Sequence, residues 1–326
     1  MSLTRVRLVR AALVALLATA LLGAARPADA ADGDTAYVDV AAATLWAEPD
    51  IARPIDAPAT GNPVDLRTWT DSQTLDQRQW LVGKLETQAV YGTKVTILDT
   101  DGDWDYVAVA GQPTPLNALG YPGWVPAVQL TSNPDFATLV AQRPLALVTT
   151  ATTTLYADAA RTDPDLDLSL DTRLPVLGRS GDSVRVATPD RGDAWLPATD
   201  VRTYRSPAAI PPPTGADLVR TAKLFVGLPY VWAGTSAWGF DCSGFTHTIY
   251  DTYGVTIPRD ADAQYAAGTP VDFDAMRPGD LIFYAYSDGY EIDAPNNTDT
   301  EISTVEVVKV ADQRYADQYI GSRRFL

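Results

Sequence analysis

One cysteine and one histidine serve a chain of 326 residues. A single thiol excludes an internal disulfide, so the fold must be held by its apolar cores. The Cys and His sets that hold zinc cannot be assembled from so few ligands, and neither a metal nor any other cofactor is expected. Cations are also scarce: 25 Lys and Arg stand against 41 Asp and Glu, a formal net charge of −16. Nucleic acid and anionic membrane surfaces, which need a basic face, are excluded as main partners. After the first thirty residues no apolar run approaches the ~20 residues of a membrane-spanning helix.

What is present describes a globular protein, with 46% apolar and 20% charged residues and enough length for two or three buried cores. The N-terminus carries Arg5, Arg7 and Arg10, then the apolar run "AALVALLATALLGAA", then Ala28-Asp29-Ala30 as a small-x-small site. Residues 1–30 therefore read as a signal peptide cut after Ala30. The mature protein is expected to be secreted or held in the cell envelope, with no membrane span after cleavage.

Two stretches share an order of features. "ATLWAEP", "TKVTILDTDGDWDYVAV" and "GYPGWVPAVQL" are answered by "TTLYADA", "RLPVLGRSGDSVRVAT" and "GDAWLPATDV". Each alternates β-branched or aromatic residues with polar ones and places Asp-Gly or Ser-Gly-Asp turns between the runs, which is hairpin chemistry. Residues 31–135 and 136–205 are thus expected to be two small, mostly antiparallel β barrels. Trp124 and Trp195 hold matching places in them. The proline-rich residues 206–216 read as a stiff linker.

Beyond the linker, residues 217–326 open with helical spacing at Leu218, Ala222 and Phe225, stopped by Gly227 and Pro229. A second helix starts at or near Cys242 in "GFDCSGFTH". The tail turns to strands in "GDLIFYAY", "YEIDAP" and "TVEVVKV", with Ser287-Asp288-Gly289 as a hairpin turn. A thiol at a helix N-terminus feels the partial positive charge of unpaired N–H groups, which stabilises thiolate and can hold an oxyanion. Asp241 could cap that helix, and Ser243 could be no more than a small first-turn residue.

The stretch from "FVGLPYVWAGTSAWGFDCSGFTHTIYDTYGVTIPRDADAQ" to "RPGDLIFY" resembles the catalytic domain of the NlpC-type cell-wall cysteine peptidases. With the two barrels and "LNALGYPGWVP", nearly all of the mature chain is similar to one subgroup, the γ-D-glutamyl-L-diamino-acid endopeptidases with bacterial Src-homology-like barrels. The resemblance implies an α+β architecture in which a papain-like catalytic domain, helices packed on a small antiparallel sheet, follows two β barrels. It implies Cys242 as nucleophile, and Asp241 and Ser243 as holders of the free amine end of a murein peptide. Tyr230 and Trp232 would line the cleft, with Tyr121 and Glu86 of the first barrel closing it. Arg259 reads as a surface salt-bridge residue with no catalytic role. The partners implied are peptidoglycan stem peptides or muropeptide fragments.

One part of the family pattern is absent. Its members carry the base histidine on a strand soon after "PGDLIFF", and here "GDLIFYAYSDGYEIDAP" passes from the first strand to the turn without it. Asp293 falls where the residue orienting that base belongs. His247 cannot substitute, because five helical residues turn it about 140° and raise it about 7.5 Å from Cys242. Two functions remain: an exported thiol endopeptidase impaired by the missing base, or a non-catalytic murein-peptide binding protein.

Overall fold

The computed structural model describes residues 34–285, 292–293, 304–305 and 318–326. The expected signal peptide, the expected Ser287–Gly289 turn and most of the strand expected around Glu306 lie outside the described residues.

Largely buried runs build the first sheet from β1 (Thr35–Val38), β2 (Ala42–Trp46), β3 (Leu85–Val90), β4 (Lys94–Asp101), β5 (Trp104–Val109), β6 (Tyr121–Pro126) and β7 (Leu130–Thr131). The second uses β8 (Leu145–Val148), β9 (Thr152–Tyr156), β10 (Pro164–Ser169), β11 (Arg173–Ser180), β12 (Ser183–Ala187), β13 (Asp193–Pro197) and β14 (Val201–Tyr204). The strand orders are β3-β2-β6-β5-β4-β1-β7 and β10-β9-β13-β12-β11-β8-β14, the same path shifted by seven. The internal repeat is thus structural as well as verbal. Trp124 pairs with Trp46 in one copy and Trp195 with Tyr156 in the other. Both β3 and β10 carry a bulge at the equivalent place. The extra residue is Glu86 in the first copy and Asp165 in the second. A bulge tightens the local twist and re-aims the side chain it carries.

The copies differ between their second and third strands. The first inserts short helices at Ala57–Thr60, Leu66–Ser72 and Leu75–Gln79. Buried Asp56 organises the insert, pairing with Arg53 and accepting the Trp69 indole N–H at 2.9 Å. The modules meet through the helix Pro134–Gln142, whose Phe136 stands edge-on to Tyr37 at 4.9 Å in a shared apolar core.

That junction also holds Asp39, 8% exposed, whose carboxyl is pushed up to about 6 by burial and then by the neighbouring Asp190. A carboxyl raised in the folded state contributes stability below its ordinary value near 4 and loses it as pH rises toward 6. Asp39→Asn is therefore expected to gain on the native protein between pH 4 and pH 7, on the order of 1 kcal/mol. Melting temperatures at both pH values check this, and a difference constant with pH would refute it.

The segment after the second module is less extended than its prolines suggest. Pro207–Ala209 forms a 3-10 turn, and Ile210, the apolar residue of the stretch, is buried against Leu145 and Leu147 of β8. The catalytic region then opens with α1 (Gly215–Ala222), started by a Thr214–Asp217 capping box. Helix α2 (Cys242–Asp251) and helix α3 (Ala261–Ala267) follow the short hairpin β15 (Thr235–Ser236) and β16 (Gly239–Phe240). Phe225, Phe240 and Phe245 stack edge-to-face beneath them, with centroid distances of 4.9 and 5.3 Å about Phe240.

A small antiparallel sheet completes the region in the order β17 (Thr269–Val271), β20 (Tyr319–Arg324), β18 (Leu281–Ala285) and β19 (Ile292–Asp293). The expected helices on a small antiparallel sheet are present. Thr304 forms an isolated bridge with Pro229.

Candidate active site

Strand β3 is an edge of the first sheet, and the catalytic region covers it. The Trp232 indole N–H donates to Leu85 O at 3.1 Å, and the Thr235 hydroxyl donates to Gln88 O at 2.9 Å. Gln88 reaches further, its Oε1 accepting from Thr235 N at 3.2 Å and from Ser236 Oγ at 2.9 Å. Such cover removes the unpaired groups of an edge strand. It also fixes which part of the first module meets the Arg259–Asp241 pair, since Glu86 and Thr87 lie between these anchors and Thr87 reaches Arg259.

Cys242 is the first residue of α2 and is half-exposed. Asp241 caps the helix, its Oδ1 accepting the Gly244 N–H at 2.6 Å. Gly244 is required there: a Cβ would stand 2.2 Å from Gly234 O. The Ser243 N–H, in the first turn and outside the capping bond, is a donor aimed along the helix axis, where an oxyanion is stabilised.

Arg259 is not on the surface. It is 1% exposed and forms a two-point pair with Asp241, Nη1 to Oδ1 at 3.1 Å and Nη2 to Oδ2 at 2.7 Å. Its Nη1 also donates to Ser243 Oγ at 3.1 Å, and its Nε to Thr87 Oγ1 on β3 at 3.0 Å. Its backbone N–H goes to Pro113 O at 2.9 Å. "IPRDADAQ" reads as a surface segment because an arginine between prolines and aspartates is usually solvated. Here the guanidinium bolts the Cys242 helix to the first module, and only the fold brings Thr87 and Pro113 to Arg259.

Asp260 follows Arg259 at the start of α3, yet its carboxylate makes no capping bond there. It meets the Tyr121 hydroxyl instead. Burial raises the Asp260 carboxyl above its ordinary range, against the pull of Arg259. Burial, followed by the charge of Asp260, does the same to Glu86. The half-buried Glu86 carboxylate makes no side-chain hydrogen bond or ion pair among the described residues. Burial also raises the Tyr121 hydroxyl. Three carboxyl groups, of Glu86, Asp241 and Asp260, thus surround one guanidinium, and among the described residues Glu86 has no ion pair of its own. Sequence reading passes over Asp260, whose only signal is its place beside a buried arginine.

Tyr230 is half-buried, bridges to Phe240 and accepts at its backbone O from Arg78 Nη1 at 3.1 Å. Trp232 packs partly into a core with Trp46, Trp69 and Trp238, so its indole serves packing and the clasp on β3. Asp293 lies on β19, whose backbone pairs Asp293 with Tyr284 and runs beside α3. The same α3 carries Gln264, which donates to Ser243 O at 3.0 Å.

His247 is buried, its Nδ1 2.8 Å from Ile257 O, and burial pushes its imidazole toward the neutral form. It faces a cavity of about 60 Å³ shared with Asp171, Gln112 and Asp251, at the junction with the two modules. There Arg173 joins Asp171 at 3.0 Å and Asp251 at 2.7 Å. His247 is a structural residue at the back of α2.

Known proteins match this arrangement. Residues 148–204 match the family model described as YKFC SH3b2 domain, and residues 227–296 match NlpC/P60 family. A Bacillus cereus protein named gamma-D-glutamyl-L-lysine dipeptidyl-peptidase is 47% identical over 307 residues, covering 89% of this chain and 91% of its own. A protein of the same name from Bacillus subtilis is 34% identical over 254 residues, covering 76% and 81%. The crystal structure of a NlpC/P60 family protein from Bacillus cereus superimposes with a TM-score of 0.83 at 46% identity, over 90% of this chain and 99% of that one. With a cysteine at the head of a buried-arginine-braced helix and the two repeated β modules before it, the chain belongs to the NlpC/P60 family.

Proposed function

We propose that the chain is an exported cysteine peptidase that cleaves the γ-D-glutamyl bond to a diamino acid in peptidoglycan stem peptides with a free N-terminus. The observation that carries this reading is the pair Glu86 and Asp260: half-buried carboxylates near Tyr121, both raised by burial and Glu86 further by the charge of Asp260, next to the cysteine helix. An ammonium group would satisfy both. Asp241 and Ser243 in this reading set the position of the helix through Arg259, and the bulged Glu86 with Asp260 grips the amine. The relatives' names, which specify a γ-D-glutamyl-L-lysine bond, support the same substrate class.

Cys242 thiolate attacks the γ-carbonyl, and first-turn N–H groups at Ser243 hold the oxyanion. Collapse of the tetrahedral species expels the diamino acid's amine, which takes a proton from solvent, and water then hydrolyses the thioester. With no histidine to move these protons, turnover is slow, by about 10²–10⁴-fold relative to a family member that has one.

A test separates amine recognition from chemistry. L-alanyl-γ-D-glutamyl-diaminopimelate is expected to be cleaved and its N-acetyl form not. Glu86→Gln is expected to raise KM by about 10–100-fold with kcat little changed, the cost of one charged hydrogen bond. Equal cleavage of the acetylated peptide, read by mass spectrometry, would refute the assignment. The burial of His247 favours a second reading, a protein that binds the same peptide without turnover.

A further inference from the structure

A second cavity, of about 290 Å³, opens between β14 of the second module and the catalytic region, and the reaction uses none of its residues. Its lining includes Arg202 and Tyr204 from β14 and Arg220, Thr221 and Leu224 from α1 and the turn after it. Arg202 and Tyr204 are two apart on a strand, hence on one face, and Arg220 and Leu224 are four apart on a helical stretch, hence one above the other. Thr252 and Tyr253 close the floor just beyond the end of α2. Ten residues of helix separate that floor from Cys242, about 15 Å at 1.5 Å per residue. The cavity is therefore distinct from the cleft.

Its charge is opposite to that of the chain. The Arg202 guanidinium makes no side-chain hydrogen bond or ion pair among the described residues. Arg220 gives Nη2 to Asp217 at 2.6 Å and also meets the Tyr253 hydroxyl, two interactions that do not use up the five donors of its fork. The same Asp217 carboxylate also accepts the Thr214 N–H at 2.8 Å and the Thr214 hydroxyl at 2.6 Å, so it is spoken for by the helix cap. The Tyr253 hydroxyl is tied to Thr221 at 2.8 Å, which leaves its ring as wall. A protein of net charge −16 thus places two solvent-exposed arginines on the wall of one cavity, together with one exposed leucine, Leu224, at 49% exposure.

We propose that this cavity is a second ligand site, which takes a small peptide through its carboxylate. Arginine forks match carboxylates in two-point geometry. The volume, at the small end of ligand pockets, admits a dipeptide and little more. Tyrosine rings and Leu224 would cover the aliphatic part.

The probe is N-acetyl-L-alanyl-D-glutamate, whose blocked amine removes its claim on the Glu86 and Asp260 cleft. Calorimetry on the native protein is expected to show one site for this diacid. Its diamide, and the Arg202→Gln, Arg220→Gln double variant with the diacid, should bind about tenfold more weakly or worse. Glu86→Gln should leave binding of the diacid unchanged. The proposal is overturned if the double variant binds like the native protein, if the diamide binds as well as the diacid, or if inorganic phosphate binds as tightly. Loss of diacid binding in Glu86→Gln would also overturn it, by placing the ligand in the cleft.

Discussion

Cys242→Ala is expected to end the release of L-alanyl-D-glutamate from the tripeptide while leaving affinity for the tripeptide within about threefold, since the thiol reacts but does not grip. The carboxylates that would take the amine stand on β3 and at the head of α3 and do not depend on the sulfur. The assay is mass spectrometry of the products beside calorimetry of the intact peptide, run on native and variant protein in parallel. Product from the native protein alone establishes the peptidase. Heat from both proteins with product from neither establishes the binding protein. The native rate is informative in itself: it should fall about 10²–10⁴-fold below that of a relative with a base histidine.

The largest loss of stability should come from Arg259→Met. Its guanidinium is buried among Asp241, Ser243 and Thr87, so removal leaves the Asp241 carboxylate without its counter-charge at a site it cannot leave while capping α2. Breaking one side of such a pair costs about 3–5 kcal/mol. Arg259→Lys should recover only part, because an ammonium cannot span both Asp241 oxygens and Thr87. Adding Asp241→Asn to Arg259→Met should return some of the loss, since the orphaned charge is then gone. Urea unfolding of the variants reads all three. A loss below about 1 kcal/mol for Arg259→Met would mean that the network is ornamental.

Much of this fold was open to reading from the chain. Period-two alternation and Asp-Gly turns announced the repeated sheets, and Gly227 and the capping Asp241 bounded the helices of the third region, because those signals act over a few residues. The site was legible where its determinants are local. Cys242 declares itself by its place at a helix start, and His247 is set off the thiol face by helical geometry alone.

What was not legible depends on approach across the sequence. Arg259 and Thr87 are 172 residues apart, and nothing near either one shows that they touch. Asp260 hides for the same reason, since its partner Tyr121 lies on the first sheet. The linker's Ile210 was masked by its prolines, which report backbone stiffness and not the burial of one neighbour. The insert between β2 and β3 carries too little periodicity in its three short helices to stand out.

The paired bulges bear on how such a specificity arises. The repeat supplies an acid at the same kink twice, Glu86 in one copy and Asp165 in the other. Asp165 faces outward and is 3.5 Å from Arg191 of its own module, a harmless surface pair. Glu86 differs in having the third region laid across its edge strand. Duplication thus furnished a spare, and if Glu86 takes a peptide's amine as proposed, that recognition would be a property of where two domains dock, open to change by re-docking without any new chemistry in either one.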